Sequence, residues 1–255
     1  MLLTVDIGNS NVTIGAYEDD NLKFIARLNS EKNKTADQYA IDLLALLKLK
    51  NCSEDDFDAA IISSVVPMIT ESFKSAIEKS LGISPMIVGP GIKTGLNIKI
   101  DNPAQLGADL VAGAVAVMNR YPLPAIIYDL GTATTISVID KLGNFLGGVI
   151  APGTGISLEA LSNNTAALPI VSLNTPKSVI GTNTEASMQS GLILGAAAML
   201  DGLTDRILGE LATDNVTLIA TGGRAAEIIK NCRYEIEYSD NLLMEGLLDI
   251  YKKNI

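Results

Sequence analysis

The 255-residue chain carries 19 Lys and Arg against 29 Asp and Glu, a net charge of −10, and 47% of it is hydrophobic. That is enough apolar material for one large domain or two ordinary ones, and the acidic balance, with no clustered basic face, argues against a nucleic-acid groove. With no His and only Cys52 and Cys232, the composition also excludes Cys/His zinc sites, histidine bases and Ser-His-Asp triads, so a catalytic proton acceptor falls to a carboxylate.

Met1 to Asp6 reaches an acidic residue too soon for a signal peptide, and the apolar run 192–200 is far shorter than the ~20 residues of a spanning helix, so a reduced, cytoplasmic protein is expected. Short apolar runs broken by Gly, Asn and Asp predict strands near 2–6, 12–17 and 22–28, most simply an antiparallel meander. The first break, Asp6-Ile7-Gly8-Asn9-Ser10-Asn11-Val12-Thr13, has an Asp at a strand end, a Gly two residues on, and small amide and hydroxyl residues. Such a turn brings backbone N–H groups and hydroxyls up to phosphate oxygens, with the Asp placed for a cation or its water. An Asx-rich hairpin turn is the plain alternative. Helical spacing over 36–49, a β-rich run over 58–66 stopped by Pro67, a helix over 68–81 and a strand at 85–88 follow.

A helix is predicted over roughly 104–120. Asp109, in Gly107-Ala108-Asp109-Leu110, opens an otherwise apolar stretch, where a carboxylate suits a cleft and a proton-accepting role, or simply a helix N-terminus. Tyr121-Pro122-Leu123-Pro124 ends that helix, and we place the border of the two halves there, as 1–118 and 119–255. The pattern then restarts with strands near 124–129, 133–140 and 144–150. Between the first two of them stands a second turn of the same make, Asp129-Leu130-Gly131-Thr132-Ala133-Thr134. An α-rich stretch over 185–211, a strand at 216–220, the turn Thr221-Gly222-Gly223 and a closing helix near 240–252 complete the order. Gly222 there suits close passage of backbone beneath a nucleotide, or an ordinary strand-to-helix turn.

The halves thus share one order of elements, which predicts an α/β fold of two similar lobes, each a mixed sheet flanked by helices. This duplication resembles the actin, Hsp70 and sugar-kinase (ribonuclease H-like) superfamily, whose lobes close around ATP. Phosphoryl transfer needs a polyphosphate cradle, a divalent metal and an oriented hydroxyl, and each has a candidate in this chain.

Taken in order, Asp6–Asn11, Asn102-Pro103, Gly107-Ala108-Asp109, Asp129–Thr135, Pro152-Gly153, Ile180-Gly181-Thr182-Asn183-Thr184, Thr221-Gly222-Gly223 and Asp240-Asn241-Leu242 resemble the type III pantothenate kinases. The resemblance implies ATP-dependent phosphorylation of pantothenate, the first step of coenzyme A biosynthesis. It implies ATP contacts at 6–13 and Thr132, Asp109 as proton acceptor, Thr184 at the substrate, Mg²⁺ with the nucleotide, K⁺ or NH₄⁺ at Asp129, and a homodimer whose partner lines the pantothenate pocket. Two positions depart from the family: Leu110 stands where Arg is usual, and Ile100 or Asp101 where Tyr is common before Asn-Pro. A kinase for another small alcohol, or a non-catalytic accessory relative, is the alternative these departures leave open.

Overall fold

The computed structural model describes residues 1–213 and 215–255. Strand β1 (Leu2–Ile7) pairs antiparallel with β2 (Asn11–Glu18), and β2 with β3 (Asn21–Asn29), the expected meander. Helix α1 (Ala36–Leu49) starts at a reciprocal cap: Thr35 Oγ1 accepts from Gln38 N, and Thr35 N donates to Gln38 Oε1 at 2.9 Å. Its buried stripe is Tyr39, Leu43 and Leu47, four residues apart. Strand β4 (Ala59–Ser64) returns parallel to β1; α2 (Pro67–Leu81) opens on Pro67 and stops at Gly82, in the left-handed region at φ 68°. The two-residue β5 (Met86–Ile87) completes a five-stranded sheet in the order β3-β2-β1-β4-β5.

Pleating divides β1 between two faces. Leu3, Val5 and Ile7 join Tyr39, Leu43, Ile69 and Phe73 in the core beneath α1 and α2, where the rings of Tyr39 and Phe73 stand 5.2 Å apart. Thr4 and Asp6 point to the opposite face. The expected helix over 104–120 is in fact a 3₁₀ turn at Pro103–Gln105 followed by α3 (Ala108–Arg120). Asn102 caps the short turn by accepting from Ala104 N, and the break at 106–107 leaves Asp109 in the first turn of α3.

The second sheet uses β6 (Asn97–Ile98), β7 (Ala125–Leu130), β8 (Ala133–Ile139), β9 (Asn144–Pro152), β10 (Thr217–Thr221) and β11 (Glu237–Tyr238), in the order β11-β10-β7-β8-β9-β6. Read from β9 to β11, it repeats the 3-2-1-4-5 order of the first, with β6 added at the edge. One face is covered by α4 (Thr154–Asn164), α5 (Thr184–Gln189), α6 (Gly195–Leu211) and α7 (Ala225–Ile229), with Tyr128, Ile136, Ile193, Leu200 and Ile228 in the core. Tyr128 and Thr204 share a buried hydrogen bond of 2.6 Å. The stretch expected to be helical over 185–211 is interrupted by a π-helical segment at Ser190–Leu194 between α5 and α6.

The last helix, α8 (Leu242–Asn254), packs on the first sheet. Thr4 Oγ1 lies 3.3 Å from Met244 Sδ, and Gly246 meets α3 so closely that a Cβ there would be 1.9 Å from Ala112 O. Contacts group the chain into one unit of Met1–Leu96, Asp101–Asn119 and Leu242–Ile255, and another of Asn97–Ile100 and Arg120–Asn241. The segments 97–100 and 242–255 therefore associate across the sequence border at 118/119.

Candidate active site

Parallel strands collect ligands at their carboxyl ends, where the following loops open. In the first unit that edge is Ile7 of β1 and Ser64 of β4, and it carries the first turn. Gly8 N donates to Asn11 O at 3.0 Å, closing a four-residue turn that leaves Asn9, Ser10 and Asn11 exposed. The turn is tied to the end of β3: Ser30 N donates to Ser10 O at 3.0 Å, and Ser30 Oγ to Gly8 O at 2.6 Å. Val12 is buried beneath it, as is Ile7.

Asp6, half-buried, has hydroxyl residues beside it on both neighbouring strands, in register: Thr13 on β2 and Ser63 on β4. Ser63 Oγ is fully buried and has no hydrogen-bond partner among the described residues. A buried hydroxyl left unpaired costs about 1–3 kcal/mol, and an oxygen-only group of Asp, Thr and Ser suits a hard cation with its water shell.

Two residues past Ser63, Val65 N donates to Ile7 O at 3.1 Å, and Val65 Cγ1 would lie 3.6 Å from a Cβ on Gly107. The same Cβ would meet Asp109 Oδ1 at 2.4 Å, so Gly107 makes room for that carboxylate. The end of β1, Val65, Gly107 and Asp109 are thus contiguous. Asp109 Oδ1 accepts from Leu110 N at 2.8 Å. Burial pushes its carboxyl above the ordinary carboxylate range, opposed by the backbone N–H groups of Leu110 and Asp109 itself. Ala108 and Leu110 flank it, both half-buried.

The second unit repeats the device one residue shorter. Gly131 N donates to Ala133 O at 3.1 Å, and Gly153, just past β9, donates its N–H to Thr132 O at 3.2 Å, as Ser30 does in the first unit. A Cβ on Gly153 would be 2.3 Å from Thr132 O and 2.5 Å from Gly131 O, so only glycine lets β9 end against this turn. Asp129 has Thr135 of β8 and Thr221 of β10 as its register partners, in the positions that Thr13 and Ser63 hold beside Asp6. Thr135 Oγ1 is buried without a partner among the described residues. Gly222, at φ 99°, presses on Asp129 and on the backbone of Leu130, and Arg224 N donates to Leu130 O at 3.2 Å.

Thr184 lies elsewhere in this unit, at the start of α5, in a cavity of about 710 Å³ lined among others by Leu161, Leu168, Thr182, Asn183 and Met188. The π-helical segment contributes Gly191 and Leu192 to its wall. Ile100 belongs to the second unit, its Cγ2 3.8 Å from where a Cβ of Gly147 would stand, whereas Gly107–Leu110 belong to the first. Thr135 and Thr221 lie inside the motifs Asp129–Thr135 and Thr221-Gly222-Gly223, but their place beside Asp129 comes only from strand register, and Ser63, beside Asp6, lies in no motif at all. Among the described residues, no group of three or more Cys, Asp or Glu is arranged to hold a metal, so any cation there relies on single carboxylates, hydroxyls and water.

A family model for type III pantothenate kinases matches residues 2–206. A type III pantothenate kinase from Shouchella clausii is 44% identical over 255 residues, covering all of both chains, and one from Halalkalibacterium halodurans is 43% identical over 256 residues, again complete on both sides. Among solved structures, the activator of 2-hydroxyisocaproyl-CoA dehydratase from Clostridium difficile, with bound ADPNP, superposes with a TM-score of 0.56 at 15% identity, covering 98% of this chain and 93% of that one. Together with other solved neighbours, it shows the actin, Hsp70 and sugar-kinase fold.

Proposed function

The chain belongs to the type III pantothenate kinase family, and on that premise we propose that it phosphorylates pantothenate with ATP to give 4′-phosphopantothenate, opening coenzyme A biosynthesis. The observation that carries the site assignment is the contiguity of the β1 end, Val65, Gly107 and Asp109. It supports a phosphate-gripping turn and a proton acceptor held at one edge of one unit.

In this reading Asp109 accepts the proton of the primary hydroxyl of pantothenate. The hydroxyl oxygen bonds to the γ-phosphorus, the bond from that phosphorus to the β,γ-bridging oxygen breaks, and ADP leaves. The transition state is loose, so the proton moves late and the carboxylate works chiefly by orienting the alcohol. Its raised pKa makes it a better acceptor than an exposed Asp. Residues 6–13 bind the phosphates through turn N–H groups and the side chains of Asn9, Ser10 and Asn11. Thr132 and Gly222 serve the nucleotide from the second turn, and Gly107, Ala108, Leu110, Thr184 and Ile100 serve the acceptor. Asp6 with Thr13 and Ser63 would hold Mg²⁺ through water, and Asp129 with its Thr neighbours a monovalent cation, K⁺ or NH₄⁺. Bound Mg²⁺ supplies neutralisation of the charge spread over the β- and γ-phosphate oxygens.

A homodimer is part of the proposal. It is supported by exposed apolar side chains: Leu161, which lines the Thr184 cavity, and Val179 and Ile180, which directly precede the cavity residue Gly181 in the chain, Ile180 being 80% exposed. A cytoplasmic location is also part of it; no helix among the described residues is long and apolar enough to cross a membrane.

The test is ADP release with pantothenate, Mg²⁺ and K⁺, alongside Asp109→Asn. Pantothenate-dependent turnover that collapses in the variant is expected. No pantothenate-dependent release at saturating ATP would defeat the activity, and equal rates in the two proteins would defeat the role of Asp109 alone.

A further inference from the structure

Residues 165–183 form a strap without helix or strand between α4 and α5. Both of its legs reach the Thr184 cavity, through Leu168 on the way out and Gly181, Thr182 and Asn183 on the way back. The outgoing leg is anchored by Val171 and Leu173, buried in the core, and by Gln189 Nε2, which donates to Ser172 O at 3.1 Å. The returning leg is held by Ser190 Oγ, donating to Val179 O at 2.6 Å.

The apex is clipped to α7 instead. Thr175 N and Thr175 Oγ1 both donate to Glu227 Oε1, at 2.5 and 2.6 Å, while Lys230 Nζ donates to Glu227 Oε2 at 2.5 Å. Asn231 Nδ2 closes the cluster, donating to Thr175 Oγ1 at 2.9 Å and to Glu227 O at 2.8 Å. Lys230 and Thr175 hold the Glu227 carboxyl down at about 2, which favours the ionised form of the clip. At its other end α7 is fixed to the Gly222 turn: Ala225 N donates to Gly222 O at 3.1 Å, and Ala225 and Ile228 are buried.

We propose that Glu227 is a positioning residue for the acceptor: by clipping the strap apex to the helix that follows the Gly222 turn, it holds both legs in place and sets the shape of the Thr184 cavity. This rests on the reading of that cavity as the acceptor site. A strap with its ends anchored and its apex released gains conformers at little enthalpic cost, and acceptor binding must then select among them.

The experiment uses the full chain as Glu227→Ala, Glu227→Gln and Thr184→Val. It measures amide hydrogen exchange across 165–183 and the KM values for pantothenate and ATP. Glu227→Ala is expected to speed exchange around Thr175 and to raise the pantothenate KM about ten-fold, with kcat and ATP KM within about two-fold of the parent. Glu227→Gln keeps an acceptor oxygen for Thr175 and falls between the two. With the pantothenate KM raised in Thr184→Val, unchanged exchange or an unchanged pantothenate KM in Glu227→Ala overturns the clip. An unchanged pantothenate KM in Thr184→Val overturns the acceptor reading of the cavity itself, and the role of Glu227 with it.

Discussion

Gly222 lies so close to Asp129 that a Cβ on the glycine would stand 2.7 Å from Asp129 Oδ1. The same Cβ would be 2.7 Å from Leu130 C and 2.8 Å from Leu130 N, backbone atoms at the end of β7, an interior strand of its sheet. The residue is also at φ 99°, where a side chain costs about 1–3 kcal/mol. Gly222→Ala should therefore push the Asp129 carboxylate and the second turn apart, lowering Tm and raising the ATP KM about ten-fold or more. Nucleotide titrations and thermal melts of the variant check both.

Asp109 should set the acid side of the rate profile. Because burial raises its pKa, the acidic limb of kcat/KM should fall at a pH above the ~4 of an ordinary Asp, and vanish with the activity in Asp109→Asn, which loses about 10²–10⁴ in kcat. The stability sign runs the other way. A carboxyl whose folded pKa exceeds its unfolded value contributes stability below the unfolded pKa and loses it as pH rises through the folded one. At neutral pH the ionised group is a burden, so Asp109→Asn should melt higher than the parent there, and the gap should close as pH falls.

Leu110 gives a handle on that same carboxyl. A guanidinium at this half-buried position, next in chain to Asp109, favours the ionised form. Leu110→Arg should shift the acidic limb of kcat/KM to lower pH, and lower the pantothenate KM if the added charge meets the carboxylate of the substrate. A pH series on the two proteins reads both effects.

Gly246→Ala should be a pure stability lesion. Its new methyl would sit 1.9 Å from Ala112 O and 2.5 Å from Ala112 C, backbone atoms of a neighbouring helix, so α8 must lift from α3. Overpacking of this kind costs about 1–3 kcal/mol. Urea denaturation should show a lower midpoint, and the folded fraction should keep its KM for ATP.

Most of the framework is legible in the residues themselves. The meander of β1 to β3 announces itself because Gly, Asn and Asp break short apolar runs, and α1 because Tyr39, Leu43 and Leu47 repeat at helical spacing. The pairs Met86-Ile87, Asn97-Ile98 and Glu237-Tyr238 are too short to carry any period, so β5 is legible only as a longer apolar run over 85–88, and β6 and β11 only through their partners. The π-helical segment at Ser190–Leu194 has the same composition as the helices around it. At the site, Asp6, Asp109 and Asp129 stand out as carboxylates in apolar runs. Ser63 does not, and Thr135 and Thr221 are marked only as members of their motifs, because a strand hydroxyl shows its role only when register sets it beside an Asp.

Helix α8 packs on the face of β1 that bears Thr4, whose partner Met244 is 240 residues away in sequence. The first unit is therefore stitched from separate stretches of chain, and the whole of Arg120–Asn241 lies between its sheet and the helix that covers it. Contacts of such sequence separation carry a large loop-closure cost, so completing this unit couples its folding rate to a long intervening segment.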